Sequence, residues 1–339
     1  MAHRAGCSEG RTRPPGAVVG IAAVLVSVVV LAMGAASCAD PRPDPEPPRT
    51  TASTASTTTP TDRATPTDRA TTADCVGTGR VERSVEQYRD PPGPDADLTT
   101  LEVISPELPD GCGPAPVMVW VHGGGWRTGD RRNQLDDKVD LFTSMGWALV
   151  SVNYRLSPAV QYPVHDDDVA AAIGWVLHHA EDLGVDPQRL SVMGHSAGAG
   201  IAAAVATDPV HLGAVGHSPG DLRCAVLLDT EGYDVEAMGE RGVEIYLDAF
   251  GEDPEVWRAA SPIRHVVAGA GIPRSLVVTR GVDGRRDSAA EFVDALDTAG
   301  VEARLVDARP LTHAQVNDAV GADGDDVVTP AVVEFLRKC

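Results

Sequence analysis

One serine between glycines and one histidine followed by three glycines are the residues of this chain whose types and spacing point to chemistry. Gly194-His195-Ser196-Ala197-Gly198 follows the apolar run Leu190-Ser191-Val192-Met193. About 70 residues earlier, His122-Gly123-Gly124-Gly125-Trp126 follows Val117-Met118-Val119-Trp120-Val121. The later motif reads as a nucleophile elbow, in which a strand ends, the chain turns sharply and a helix begins. Its glycines are needed because the turn crowds the backbone and leaves no room for Cβ atoms. Ser196 then sits at the apex with its Oγ exposed. The earlier motif reads as a loop that brings backbone N–H groups to a developing oxyanion. In this order, each behind a strand, the two motifs point to acyl transfer through an activated serine.

A serine hydroxyl needs a base, and the base needs an orienting carboxylate. In sheets entered through such an elbow the three groups follow the chain order Ser, Asp or Glu, His. One histidine, His313, lies beyond the expected strand at 275–279, in Leu311-Thr312-His313-Ala314. The carboxylate is sought just past that strand, because open α/β sheets place their sites at the carboxyl ends of strands. Asp283 lies there. Asp287 is its rival, read as the cap of the next helix. His195 is the variable residue of the elbow. His122 is expected to brace the glycine loop by hydrogen bonding. Trp126 either walls an acyl pocket or packs beneath the loop.

The elements that must position these groups alternate. Residues 80–88 and 98–105 read as a hairpin across Pro91-Pro92-Gly93-Pro94. Strands are expected at 117–121, 147–153, 190–193, 224–228, 275–279 and 301–306. Helices are expected at 130–145, 164–183, 197–207, 288–298 and 329–337. Alternation from residue 117 onward implies a mainly parallel sheet with right-handed crossovers, to which the hairpin adds antiparallel strands. Asp166, Asp167 and Asp168 open the helix at 164, where carboxylates suit the helix dipole, and are not read as a metal site. The run Asp323-Gly324-Asp325-Asp326 lacks calcium-loop spacing. Neither a metal nor a cofactor is expected.

Residues 1–37 read as a signal peptide: Arg4, Arg11 and Arg13 precede an apolar stretch at 17–33, and Gly34-Ala35-Ala36-Ser37 leads to Cys38. The small-residue run resembles a bacterial lipobox, which implies cleavage before Cys38 and a lipid on its sulfur. The alternatives are release as a soluble secreted protein or retention as an uncleaved anchor. All three put the chain outside the cytoplasm, and the first makes it a bacterial cell-surface lipoprotein held to the membrane through Cys38. Residues 38–75 are rich in Pro and Thr and repeat Thr-Pro-Thr-Asp-Arg-Ala at 59 and 65. They read as a disordered tether, reaching ~100 Å if extended. The remaining residues, 76–339, fit one α/β domain. The formal net charge of −21 argues against a nucleic-acid partner and against docking on anionic lipid. In an exported chain the four cysteines beyond Cys38 are expected to pair. Cys75 and Cys112 fall at one end of the sheet, Cys224 starts a strand and Cys339 ends the last helix, which selects Cys75–Cys112 and Cys224–Cys339.

From about Val117 to the C-terminus the chain resembles the α/β-hydrolase superfamily, in its hormone-sensitive-lipase-like and kynurenine-formamidase-like esterase branch. The resemblance rests on HGGGW, on Asn153-Tyr154-Arg155-Leu156-Ser157, on Gly194-His195-Ser196-Ala197-Gly198 and on Ser261-Pro262. It implies an α/β-hydrolase fold with Ser196 as nucleophile, Asp283 as acid and His313 as base. It also implies oxyanion donors from the backbone of Gly124, Gly125 and Ala197. The loop at 282–287 departs from the family's usual acid motif. The short insertion between 229 and 261 implies at most a small lid. The activity implied is hydrolysis of small carboxylic esters. The alternatives are an amidase or arylformamidase on the same triad, or a catalytically silent surface lipoprotein that binds a ligand.

Overall fold

The computed structural model describes residues 75–89, 95–281 and 283–339. The expected signal peptide, Cys38, the tether up to residue 74 and the proline turn of the hairpin lie outside the described residues. The strands are β1 (Val81–Gln87), β2 (Thr100–Pro106), β3 (Ala115–Val121), β4 (Ala148–Val152), β5 (Val185–His195), β6 (Cys224–Leu228), β7 (Arg274–Thr279) and β8 (Ala303–Asp307). They form one sheet in the order β1-β2-β4-β3-β5-β6-β7-β8. β1 and β2 pair antiparallel, as do β2 and β4, and from β4 to β8 every pairing is parallel. The hairpin and the parallel body follow the sequence expectation.

β3 shows why the central strands read as unbroken apolar runs. All seven of its residues are buried. Alternate side chains leave opposite faces of a strand, so a sheet covered on both sides needs apolar residues at every position. Val117, Val119 and Val121 pack into one core, and Met118 and Trp120 into the other. The helices are α1 (Asp136–Ser144), α2 (Val164–His178), α3 (Ala197–Thr207), α4 (Pro209–Gly213), α5 (Val235–Glu240), α6 (Glu244–Phe250), α7 (Pro254–Ala259), α8 (Asp283–Thr298), α9 (His313–Asp318) and α10 (Val328–Leu336). Helices α2, α3 and α8 join the first core, and α1, α9 and α10 the second. α3 is buried along its whole length, and its run of Ala and Gly lets it lie close to the sheet.

Several boundaries differ from expectation, and two of them matter for the site. The helix expected from 130 starts at Asp136, because residues 131–134 are held as turns: the Asp130 carboxylate accepts from the Arg132 N–H at 2.9 Å, and Gln134 adopts a left-handed φ of 52°. The helix expected from 288 starts instead at Asp283. His313 is the first residue of α9 rather than part of a loop, with Thr312 and Gln315 forming a reciprocal capping box at its start. The insertion between β6 and β7 builds α5, α6 and α7, a small helical cover. The aspartates of α2 do more than serve its dipole. Buried Asp168 accepts two hydrogen bonds from the Arg155 guanidinium, at 2.7 and 2.8 Å, and pairs with Arg89, while Asp167 accepts from His211 at 2.8 Å. Among the described residues no cluster of His, Cys, Asp or Glu fits a metal ion, and no helix is long and apolar enough to cross a membrane.

Cys75 pairs with Cys112 and Cys224 with Cys339, the two pairings that the topology selects, with Cα atoms 5.6 and 6.0 Å apart. They close loops of 37 and 115 residues. Loop-closure entropy gives upper bounds of about 4 and about 5 kcal/mol for the two. Replacing Cys224 and Cys339 together by serine is expected to lower the thermal midpoint more than replacing Cys75 and Cys112. Differential scanning calorimetry of both double variants checks the order.

Candidate active site

β5 ends at His195 and α3 begins at Ala197, so Ser196 is the single residue of the turn. Its φ of 56° and ψ of −122° lie where side-chain-bearing residues are strained. The turn is tight because Gly194 and Gly198 face each other. A Cβ on Gly194 would come within 2.2 Å of the Gly198 carbonyl oxygen, and one on Gly198 within 2.3 Å of that of Val121. Ser196 Oγ does not cap α3. It lies 2.8 Å from His313 Nε2.

His313 Nδ1 lies 2.5 Å from Oδ2 of Asp229. The expected acid is therefore corrected. Asp283 opens α8, its side chain is 96 % exposed, and it reaches only Arg286 at 3.9 Å. Asp287, the rival, is exposed within the same helix. The early start of α8 turns the chain outward before either carboxylate can face the imidazole. β6 supplies the group instead. The parallel register pairs His195 with Leu228, so Ser196 and Asp229 are the next positions on neighbouring strands. The Ser196 N–H donates to the Leu228 carbonyl at 2.9 Å, which continues the ladder into the turn.

Asp229 is fully buried and also has a left-handed φ, of 50°. Its Oδ2 accepts from Arg280 Nε at 2.9 Å and its Oδ1 from the Arg280 N–H at 3.2 Å. Arg285 donates to the Asp229 carbonyl at 3.2 Å and pairs with Glu231 at 2.6 Å. Burial by itself raises the Asp229 carboxyl. The hydrogen bond from His313, the Arg285 charge and the Arg280 N–H outweigh burial and hold the group below the usual carboxylate range. Asp229 is thus a carboxylate, and the proton of the pair belongs on His313 Nδ1. Nε2 is then the acceptor for the serine proton.

The glycine loop lies against the serine. Gly123, Gly124 and Gly125 line a cavity with Ser196 and His313, and Gly125, Ser196 and Ala197 line a second one. Ala197 is the first residue of α3, where an N–H has no partner inside the helix and the dipole favours negative charge. The loop is fixed from below. His122 Nδ1 donates to the Gly123 carbonyl at 2.7 Å, its ring stacks on Tyr154 at 4.4 Å, and Tyr154 Oη donates to the His122 carbonyl at 3.0 Å. Burial lowers the His122 pKa, so the ring is a neutral brace. Trp126 packs against the helical cover rather than beneath the loop. It lines the second cavity and packs edge-on against Tyr246 and Phe250, at 5.1 Å from each. Ile245 of α6 closes over the loop, where a Cβ on Gly125 would meet its Cδ1 at 2.1 Å.

His195 has a role that the sequence does not announce. Its Nε2 donates to the backbone carbonyl of His313 at 2.9 Å, and the two rings lie 4.5 Å apart. Burial, and then the nearby His313 charge, push its pKa down to about 3, so it stays neutral and keeps its donor. The residue beside the serine thus holds the start of α9. Larger hollows of about 570 and 1050 Å³ open near Arg223 and Cys339 at the amino ends of the strands, away from Ser196. The chemistry belongs at the carboxyl ends, where the side chains converge.

Comparison with known proteins identifies the fold family. Residues 118–317 match the family model described as alpha/beta hydrolase fold. The chain is 30% identical over 268 residues to a protein of Mycobacterium tuberculosis named "Probable carboxylic ester hydrolase LipM", an alignment covering 72% of this chain and 56% of LipM. It is 29% identical over 236 residues to the carboxylesterase NlhH of the same species, covering 66% of this chain and 71% of NlhH. Among solved structures, a thermostable esterase from Pseudomonas putida superposes with a TM-score of 0.57 at 25% identity, covering 79% of this chain and 82% of that one. The chain thus spans little more than half the length of LipM.

His195→Ala is expected to lower kcat about fivefold with KM little changed, since one neutral hydrogen bond contributes about 1 kcal/mol. His195→Gln, which keeps a donor, is expected to recover part of the loss. Steady-state kinetics of the two variants on one ester checks this.

Proposed function

We propose that this chain, which belongs to the alpha/beta hydrolase family, hydrolyses small carboxylic esters through an acyl-enzyme on Ser196. The observation that carries the reading is the unbroken line from Ser196 Oγ to His313 Nε2 and from His313 Nδ1 to Asp229, at 2.8 and 2.5 Å. Oγ attacks the ester carbonyl as its proton passes to His313 Nε2. The tetrahedral oxyanion is received by backbone N–H groups of Gly124, Gly125 and Ala197. The intermediate collapses, the C–O bond to the alcohol breaks, and the alcohol takes the proton back from Nε2. Water then gives a proton to Nε2, attacks the acyl carbon and releases the acid, and Ser196 regains its hydrogen. Asp229 stays ionised throughout and keeps the ring in the tautomer that leaves Nε2 free. The names of LipM and NlhH support ester hydrolysis as the reaction class.

Ser196→Ala is expected to abolish both turnover of 4-nitrophenyl acetate and labelling by a fluorophosphonate probe, with the fold intact by circular dichroism. Asp229→Asn is expected to lower kcat about 10⁴-fold, the loss that follows when a triad carboxylate can no longer hold the tautomer. Asp283→Asn is expected to leave kcat unaltered. Full activity in Ser196→Ala would exclude the reading.

The same reading places the domain outside the cytoplasm, tethered through a lipid on Cys38. Its support is the basic and apolar leader with small residues before Cys38, together with two disulfides suited to an oxidising compartment. Cys38→Ala is expected to abolish incorporation of labelled fatty acid. Labelling that survives the substitution would place the lipid elsewhere.

A further inference from the structure

The smaller of the two cavities at Ser196, of about 340 Å³, is walled by Trp126, Ile245 and Tyr246, and three charged side chains join its lining: Glu231, Arg285 and Arg241. Two of the three satisfy each other. Arg285 Nη2 lies 2.6 Å from the Glu231 carboxylate, and its Nη1 donates to the Asp229 carbonyl. Arg241 is left over. Among the described residues no carboxylate comes within 4.0 Å of its guanidinium, that of neighbouring Glu240 included.

Two observations put the charged end of Arg241 at the cavity. Its Nη1 lies 3.8 Å from the sulfur of Met238, which is itself a lining residue. The second concerns the Tyr246 hydroxyl. Burial raises its pKa most, the Glu231 charge raises it further, and Arg285 and Arg241 lower it. Two cations and one anion thus act at one point of the wall. Arg241 is also exposed, so its donors stay open to a ligand.

The imbalance does not come from a shortage of acids, since the chain carries 49 acidic against 28 basic residues. The acids of the helical cover are spent elsewhere. Glu236 of α5 pairs with Arg258 and Arg264, at 2.8 Å each. Glu244 and Asp248 of α6 both turn to Arg127. In so acidic a chain, a cation left unmatched beside the nucleophile points to an anionic ligand. A guanidinium fork takes a carboxylate through two parallel hydrogen bonds. Glu231 on the same wall works against a dianion, and one cation in excess matches one negative charge.

We propose that the smaller cavity is a subsite for a carboxylate carried by the ester itself and held by Arg241, so that the preferred substrates are monoanionic: half-esters of short dicarboxylic acids or esters of short hydroxy acids. This rests on Ser196 being the nucleophile. In the first kind the carboxylate enters with the acyl group, in the second with the alcohol.

The test measures kcat/KM of the native chain near neutral pH on two pairs of esters that differ only in charge, with 4-nitrophenyl acetate as reference. Methyl hydrogen glutarate against methyl glutaramate places the carboxylate on the acyl side. The 4-acetoxybutanoate ion against 4-acetoxybutanamide places it on the alcohol side. In one pair the anion is expected to be preferred about fivefold, and that pair identifies the side. Arg241→Gln is expected to bring the ratio close to one, and Arg241→Glu to invert it. In the native chain about 1 M sodium chloride is expected to narrow the ratio, a readout that needs no variant. The amide equal or preferred in both pairs, or a ratio unmoved by salt and by both substitutions, overturns the subsite while leaving the esterase reading intact. A native chain that hydrolyses none of these esters, the reference included, overturns the reading of Ser196 and the subsite with it.

Discussion

A fully buried carboxylate, Asp229, held against the imidazole of His313 is the interaction on which the rest of this structure depends. A lone ion there would be driven to protonate by its burial. It stays charged because His313 donates to it, because the Arg285 charge lies beside it, and because the neighbouring strand end brings the Arg280 N–H to it. The arginines thus do structural work at one remove. They keep the carboxylate ionised, the carboxylate selects the tautomer of the imidazole, and the tautomer leaves Nε2 facing Ser196.

The geometry comes from parallel pairing. β5 and β6 run side by side, and the step past His195 and Leu228 delivers Ser196 and Asp229 together. Both residues are left-handed without being glycine, as are Trp126 and Gln134, which line the two cavities. Those four are all such residues among the described ones. Strain of this kind persists only where surrounding packing over-determines the backbone. Here two covered faces of the sheet, the Gly194–Gly198 contact and the His122–Tyr154 stack supply that support.

Much of this was legible beforehand, for identifiable reasons. Ser196 announces itself because only glycines fit on either side of it, and His313 because no other histidine follows β7. The strands were legible because burial on both faces demands apolar residues at every position of β3 and β6. The acid was not. Chain order admits any carboxylate between Ser196 and His313, and Asp229 and Asp283 each follow a strand. What separates them is the register of β5 on β6 and the early start of α8, and neither is written in local composition. A signal did exist in the lone acidic residue directly abutting the buried run Cys224–Leu228. The contact between His195 and the His313 carbonyl joins residues 118 apart and leaves no sequence trace. The cover of α5, α6 and α7 was missed as helix because each piece is seven residues or fewer, too short for a periodic pattern to declare itself.

The proton shared between residues 229 and 313 can be observed directly. In proton NMR, an imidazole Nδ1–H held by a buried carboxylate resonates far downfield of the backbone amides. The account predicts such a resonance in the native chain, its persistence in Asp283→Asn and its disappearance in Asp229→Asn. Persistence in Asp229→Asn together with loss in Asp283→Asn would contradict it.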